Sequence, residues 1–170
     1  MIEYLLSFAL GFAVKTVDSS VEHGLKLKPA LRYFLAIIYG ALLAYLINLV
    51  FLPEFFLGIL IGVIIAGKID SKEHFSAVIS FVLFSFFLET VIINWVIVAV
   101  AAMLCYFEEW VNDNIVDKKK VKGMLLKFLS VRPVLELAAI ALSVIYSNIS
   151  IFLLLLFFDF GYLSSKNCLK

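Results

Sequence analysis

A chain of 170 residues that is 64% hydrophobic, 15% aromatic and only 16% charged lies far from the soluble average of roughly 45–50% apolar and 25% charged. A soluble fold of this size has nowhere to hide that much apolar surface. A net charge of +1, and two cysteines without paired spacing (Cys105 and Cys168), argue against a nucleic-acid partner and against a disulfide framework. The composition predicts an all-α, polytopic transmembrane helix bundle of about seven short spans, six being possible, in a single integral membrane domain over 1–170.

Apolar runs bounded by charge or by Pro, Gly and Asn place the spans at 2–17, 31–51, 54–67, 74–88, 91–107, 132–146 and 149–163. The first opens at once after Met1, with no basic residue ahead and no small-residue cleavage site behind, so a retained helix is expected rather than a signal peptide. The second and third carry small residues every fourth position, Ala36, Gly40, Ala44 and Gly58, Gly62, Ala66. Such faces let helices approach closely, and internal packing is expected ahead of a dimer seam. Between 74 and 107 there is no Gly or Pro, and Glu89, Thr90 and Asn94 are the turn candidates. A hairpin turning at 88–94 is expected there, because one continuous helix, roughly 50 Å long, would carry Lys118 to Lys127 away from the other basic residues. The stretch 118–130 alternates Lys with Met, Leu and Phe and reads as an amphipathic anchor lying on the membrane surface.

All 14 basic residues then fall on one side, whereas the loops near 51–54, 88–94 and 146–149 contain none. The positive-inside rule makes that side cytoplasmic, in a cell membrane, with the N-terminus outside and the C-terminus inside. The lipid bilayer, with its anionic headgroups, is the expected partner.

The exits of the first and third spans nearly repeat each other: Lys15, Asp18-Ser19 and Glu22-His23 answer Lys68, Asp70-Ser71 and Glu73-His74, and they hold both histidines of the chain. Carboxylates beside imidazole suit Mn, Fe or Zn, and carboxylates alone suit Mg. On helices, Asp18 with Glu22 and Asp70 with His74 would each share a face. Capping boxes, Ser19 with Glu22 and Asp70 with Glu73, would explain the serines, Asp70 and both glutamates without a ligand, and leave Asp18 and the histidines unexplained. A third acidic group follows the fifth span, where Glu109, Asp113 and Asp117 are spaced by four. The candidate metal ligands are therefore Asp18, Glu22, Asp70, His74, Asp113 and Asp117; an acidic turn answered by Lys118 and its neighbours is the alternative for the last two.

Asn112-Asp113 followed by Asp117 resembles the Asp-rich motif of membrane prenyltransferases of the UbiA type. In that family such motifs hold Mg²⁺ on a prenyl diphosphate. The likeness covers six residues, without a clear second copy. Lys15, Lys68 and Arg132 are the candidate phosphate partners, and Arg132 is also spaced to pair with Glu136. Asp159, near the end of the last span with Tyr162 one turn later, joins His23 and His74 as a candidate catalytic residue.

Three functions follow as expectations. The first is a divalent-cation-dependent enzyme acting on a phosphorylated lipid or prenyl compound at the cytoplasmic face, since ten of the thirteen acidic residues lie there with the basic ones. The second is a divalent-cation or proton-coupled transporter, which the near-repeat suits and the scarcity of ionisable groups at mid-span opposes. The third is a non-catalytic membrane subunit. No His-Glu-x-x-His, Gly-x-Ser-x-Gly or P-loop signature is present.

Overall fold

The computed structural model describes residues 1–22, 27–88, 92–116, 118, 121–129 and 133–168, apart from the side chains at 22, 127 and 166–168. Among the described residues there are helices and no strand: α1 (Ile2–Glu22), α2 (Pro29–Leu49), α3 (Pro53–Ile65), α4 (Lys72–Ser85), α5 (Trp95–Val111, prolonged by a π-helical turn Asn112–Val116), α6 (Gly123–Leu129), α7 (Pro133–Ile145) and α8 (Ser150–Cys168). The all-α class is as expected. Each predicted span has a helix, but among the described residues only α2 and the run Trp95–Val116 are long and apolar enough to cross a membrane. Helices α3 and α7 have 13 residues each, about 20 Å against the ~30 Å of a hydrocarbon core.

Polarity is arranged inside out. Phe86, Phe87, Ile92, Trp95, Val144 and Ile149 stand largely exposed, while Lys15, Ser19, Ser20, His74, Glu108 and Glu109 are buried. Among the described residues every buried side-chain nitrogen or oxygen has a hydrogen-bond partner, as burial of polar groups demands.

The chain forms two compact units, one from 1–51, 69–91 and 153–170, the other from 52–68 and 92–152. In the first unit α1 runs parallel to α8 at very close range. A Cβ added to Gly11 would stand 2.0 Å from the carbonyl oxygen of Phe158, and one added to Gly161 would stand 2.0 Å from that of Phe8. Only glycine at both positions permits that approach. Hydrogen bonds lace the pair, Ser7 Oγ to the Leu154 carbonyl at 2.7 Å and Thr16 Oγ1 with Ser165 Oγ at 3.0 Å. Gly40, between the buried Ala36 and Ala44, lies over the backbone of Ala77 in α4.

In the second unit Gly58 faces Val98 and Ala101, and Gly62 faces Ala102 and Cys105. Equal steps in the same direction make α3 and α5 parallel. The Asn94 amide donates to Glu54 Oε1 at 3.1 Å at one end of the pair, and Lys68 meets Asp113 at the other. Parallel neighbours require the chain between them to run back along their length. The single helix over 74–107 is excluded: α4 ends at Ser85, and Asn94 caps α5 by accepting from the Val96 amide at 3.1 Å. Residues 89–91, within the turn expected at 88–94, lie outside the described residues.

The capping expectations are corrected. Helix α1 continues through Glu22, so Ser19 is buried within its last turns and caps nothing. The cap of α4 is Ser71, accepting from the His74 amide at 3.1 Å, with Asp70 ahead of the helix. Asp70 and His74 therefore do not share a helical face. Internal packing of the small-residue faces holds for both spans, except that Ala66 is a half-buried C-cap.

One interaction in the second unit reaches across elements from a buried carboxylate. Pro133 opens α7 without an N–H, and the next two amides donate to Glu108, Val134 to Oε1 at 2.8 Å and Leu135 to Oε2 at 3.1 Å. A negative charge here also answers the positive end of the helix dipole. Glu108→Gln turns an amide donor toward one of those N–H groups and is expected to destabilise by about 1–3 kcal/mol. Denaturation in detergent measures this, and no loss would show that the contact carries no net stability.

Candidate functional site

The sequence brings polar groups to the first unit from four helices, and the folded unit turns them toward each other. Helix α1 presents Lys15 and Asp18 three residues apart, hence on one face, with Nζ 3.3 Å from Oδ2. From α8, Tyr162 stands between them: its hydroxyl accepts from Lys15 at 3.2 Å and donates to Asp18 Oδ2 at 3.1 Å. The second carboxylate oxygen, Oδ1, lies 2.9 Å from His74 Nε2, in the first turn of α4. His74 Nδ1 is 2.5 Å from the hydroxyl of Tyr39 on α2.

An ionised Asp18 only accepts, so His74 Nε2 carries a hydrogen, and when the ring is neutral Nδ1 accepts from Tyr39. If His74 takes a proton, Nδ1 becomes a donor and the Tyr39 hydroxyl turns to accept. The chain of hydrogen bonds therefore survives a change of charge. Asp18 lies just past the apolar run that ends at Val17. Burial pushes its carboxyl up, but the His74 hydrogen bond and the Lys15 charge outweigh this and hold it below the ordinary range. Around His74, Glu73 of the same turn meets Arg32 of α2 at 3.8 Å.

The site joins the two copies of the near-repeat, with Lys15 and Asp18 from the first and His74 from the second. Tyr39 was not foreseen, and Tyr162 was named only beside Asp159. Tyr39 offers a weak signal, a phenol in the middle of an apolar run whose hydroxyl needs a partner. It sits at the midpoint of the 21-residue α2, so the polar chain extends from the end of α1 toward the middle of a membrane-length helix.

In the second unit Gly67, with φ 72°, ends α3 in a left-handed turn closed by the Lys68 amide on the Val63 carbonyl at 3.2 Å. Lys68 Nζ then lies 2.5 Å from Asp113 Oδ1 and 3.7 Å from the buried Glu109. A lysine just past the end of α3 thus answers this acidic group, and Lys118 bonds Asn114 at 2.8 Å.

Among the candidate residues, Asp18 and His74 meet in one unit, and Asp113 meets Lys68 in the other. Asp70 is exposed ahead of α4, Asp159 is half-buried on α8, and Glu136 is half-buried on α7. His23, Asp117 and Arg132, and the side chain of Glu22, lie outside the described residues. Among the described residues no group of three or more His, Cys, Asp or Glu is placed to hold a metal ion.

Among the described residues, fold and site together define an all-helical protein with two membrane-length helices and a largely buried lysine–aspartate–histidine–tyrosine chain. No family model, no curated protein and no solved structure matches the sequence.

Proposed function

We propose that this is a multi-pass membrane protein working as a proton-coupled transporter, with the N-terminus outside, the C-terminus in the cytoplasm, and Asp18, His74 and Tyr39 as its proton relay. The inside-out polarity, the parallel helix pairs that require return crossings and the one-sided basic residues support the membrane reading. The observation that carries the transport reading is the buried His74, hydrogen-bonded at both ring nitrogens between a carboxylate near a helix end and a phenol at mid-helix. Buried carboxylate–histidine chains among apolar helices are what proton relays in pumps and transporters use.

Lys15 neutralises Asp18, so with a neutral His74 ring the site has no net charge and a proton on His74 adds one. That added charge is what a gradient can drive. The test is a pH jump applied to the protein reconstituted on a solid-supported membrane. A transient charge displacement is expected in the parent and is expected to vanish in Asp18→Asn and His74→Gln, each checked for folding by its helical spectrum. Absence of the transient in the parent, or its persistence in His74→Gln, would sink the reading.

A second reading, a divalent-cation-dependent enzyme on a phosphorylated lipid or prenyl compound, draws on Lys68 beside Asp113 and Glu109. A cation next to two carboxylates is a set that can take a metal-bridged phosphate.

A further inference from the structure

The second unit has an apolar groove of about 390 Å³ between α3 and α5, walled by Ile61, Ile65, Val98, Ala99, Met103 and Tyr106, with Trp95 at its far end. From Trp95 to Tyr106 it runs eleven residues of helix, about 17 Å. Both walls lead to the same charged group. Three residues beyond Tyr106 stands Glu109, three residues beyond Ile65 stands Lys68, and Lys68 joins Glu109 to Asp113. Glu109 is buried beneath, with 4% of its side chain exposed, whereas Lys68 and Asp113 are 35% and 41% exposed. The rim therefore offers one accessible positive and one accessible negative group at the head of an apolar slot.

We infer that this groove holds one chain of a zwitterionic aminophospholipid, its phosphate at Lys68 and its ammonium at Asp113. An apolar groove that opens to the bilayer core on a membrane-embedded helix pair has the chemistry and length that suit a hydrocarbon chain. The head is selected by charge: a purely anionic headgroup would satisfy Lys68 and face Asp113 with Glu109 behind it, whereas an ethanolamine phosphate supplies both complements and N–H donors for the carboxylate. This rests on the membrane reading above and not on the relay.

Trp95 reports on the groove once Trp110, the other tryptophan of the chain, is replaced by Phe. Brominated-chain phosphatidylethanolamine, mixed into phosphatidylcholine vesicles holding the protein, is expected to quench Trp95 at a mole fraction about two- to fivefold lower than brominated phosphatidylglycerol, the worth of a partly exposed ion pair. Asp113→Asn should remove that preference, and Ala99→Phe, which fills the slot, should leave only quenching in proportion to lipid content. Equal curves for both headgroups in the parent would overturn the inference. So would a phosphatidylglycerol preference that appears with Mg²⁺, which would instead favour a metal-bridged anionic head. No quenching by any lipid would remove the membrane reading along with it.

Discussion

Gly11→Ala is expected to destabilise the protein by about 1–3 kcal/mol, the range for forcing a methyl into a filled contact. The sign is the informative part, because alanine is the better helix former by about 1 kcal/mol and a merely neighbouring α8 would let the substitution stabilise. What stands in the way is the Phe158 carbonyl, 2.0 Å from the new methyl. Backbone cannot rotate aside, so α8 must move as a whole, stretching the Ser7–Leu154 and Thr16–Ser165 bonds. Gly161→Ala presses the Phe8 carbonyl in the same way. Both methyls open one interface, so the double variant should lose less than the sum of the two. Ala9→Gly, on the exposed side of α1, supplies the control, with a loss of about 1 kcal/mol from propensity alone. Detergent denaturation curves measure all four. A stabilised Gly11→Ala would mean that the helices do not meet at that distance.

The second large effect concerns charge. Asp18→Ala strips the buried Lys15 of its carboxylate and His74 of its acceptor, and breaking a buried pair in this way costs about 3–5 kcal/mol. Most of that loss belongs to the stranded ammonium. Lys15→Met in the same chain is therefore expected to recover the greater part of it, since a buried pair replaced by apolar groups is close to neutral. The rescued double variant should fold and yet give no charge displacement in the pH-jump experiment. Asp18→Ala as stable as the parent would show that Lys15 reaches water or another carboxylate. Failure of Lys15→Met to rescue would place the energy in the His74 and Tyr162 bonds instead.

How far the fold could be read from residues alone depended on what each signal measured. Apolar runs located a helix for each expected span, because burial in lipid or protein selects the same side chains. Their ends were less legible. The run 2–17 takes in Lys15 and Thr16 and stops before Asp18, where polarity suggests an end, but those groups turn inward, find partners on α4 and α8, and let the helix continue to Glu22. The repeated Asp and His elements were visible as candidates, and Asp18 of the first meets His74 of the second. Their mode of meeting was not visible. A spacing of four says that two residues share a helical face only if both lie in the helix, and Asp70 does not. Tyr39 was not among the candidates and Tyr162 was named only beside Asp159, because a tyrosine in an apolar run looks like any other aromatic until a partner is brought to its hydroxyl from a distant part of the chain.

That distance bears on how the protein is made. The first unit takes its inner polar groups from α1 and its answering groups from α8, 147 residues later for both Ser7–Leu154 and Lys15–Tyr162. At ribosomal speeds of about 5–20 residues per second, roughly 7–30 s pass between the two. During that interval Ser7 has no Leu154 carbonyl to donate to, and the Lys15–Asp18 pair, formed within α1 itself, lacks the Tyr162 hydroxyl that later stands between its members. The first unit is completed only when its last helix is made, and a chain stopped before residue 150 leaves α1 without that half of its contacts.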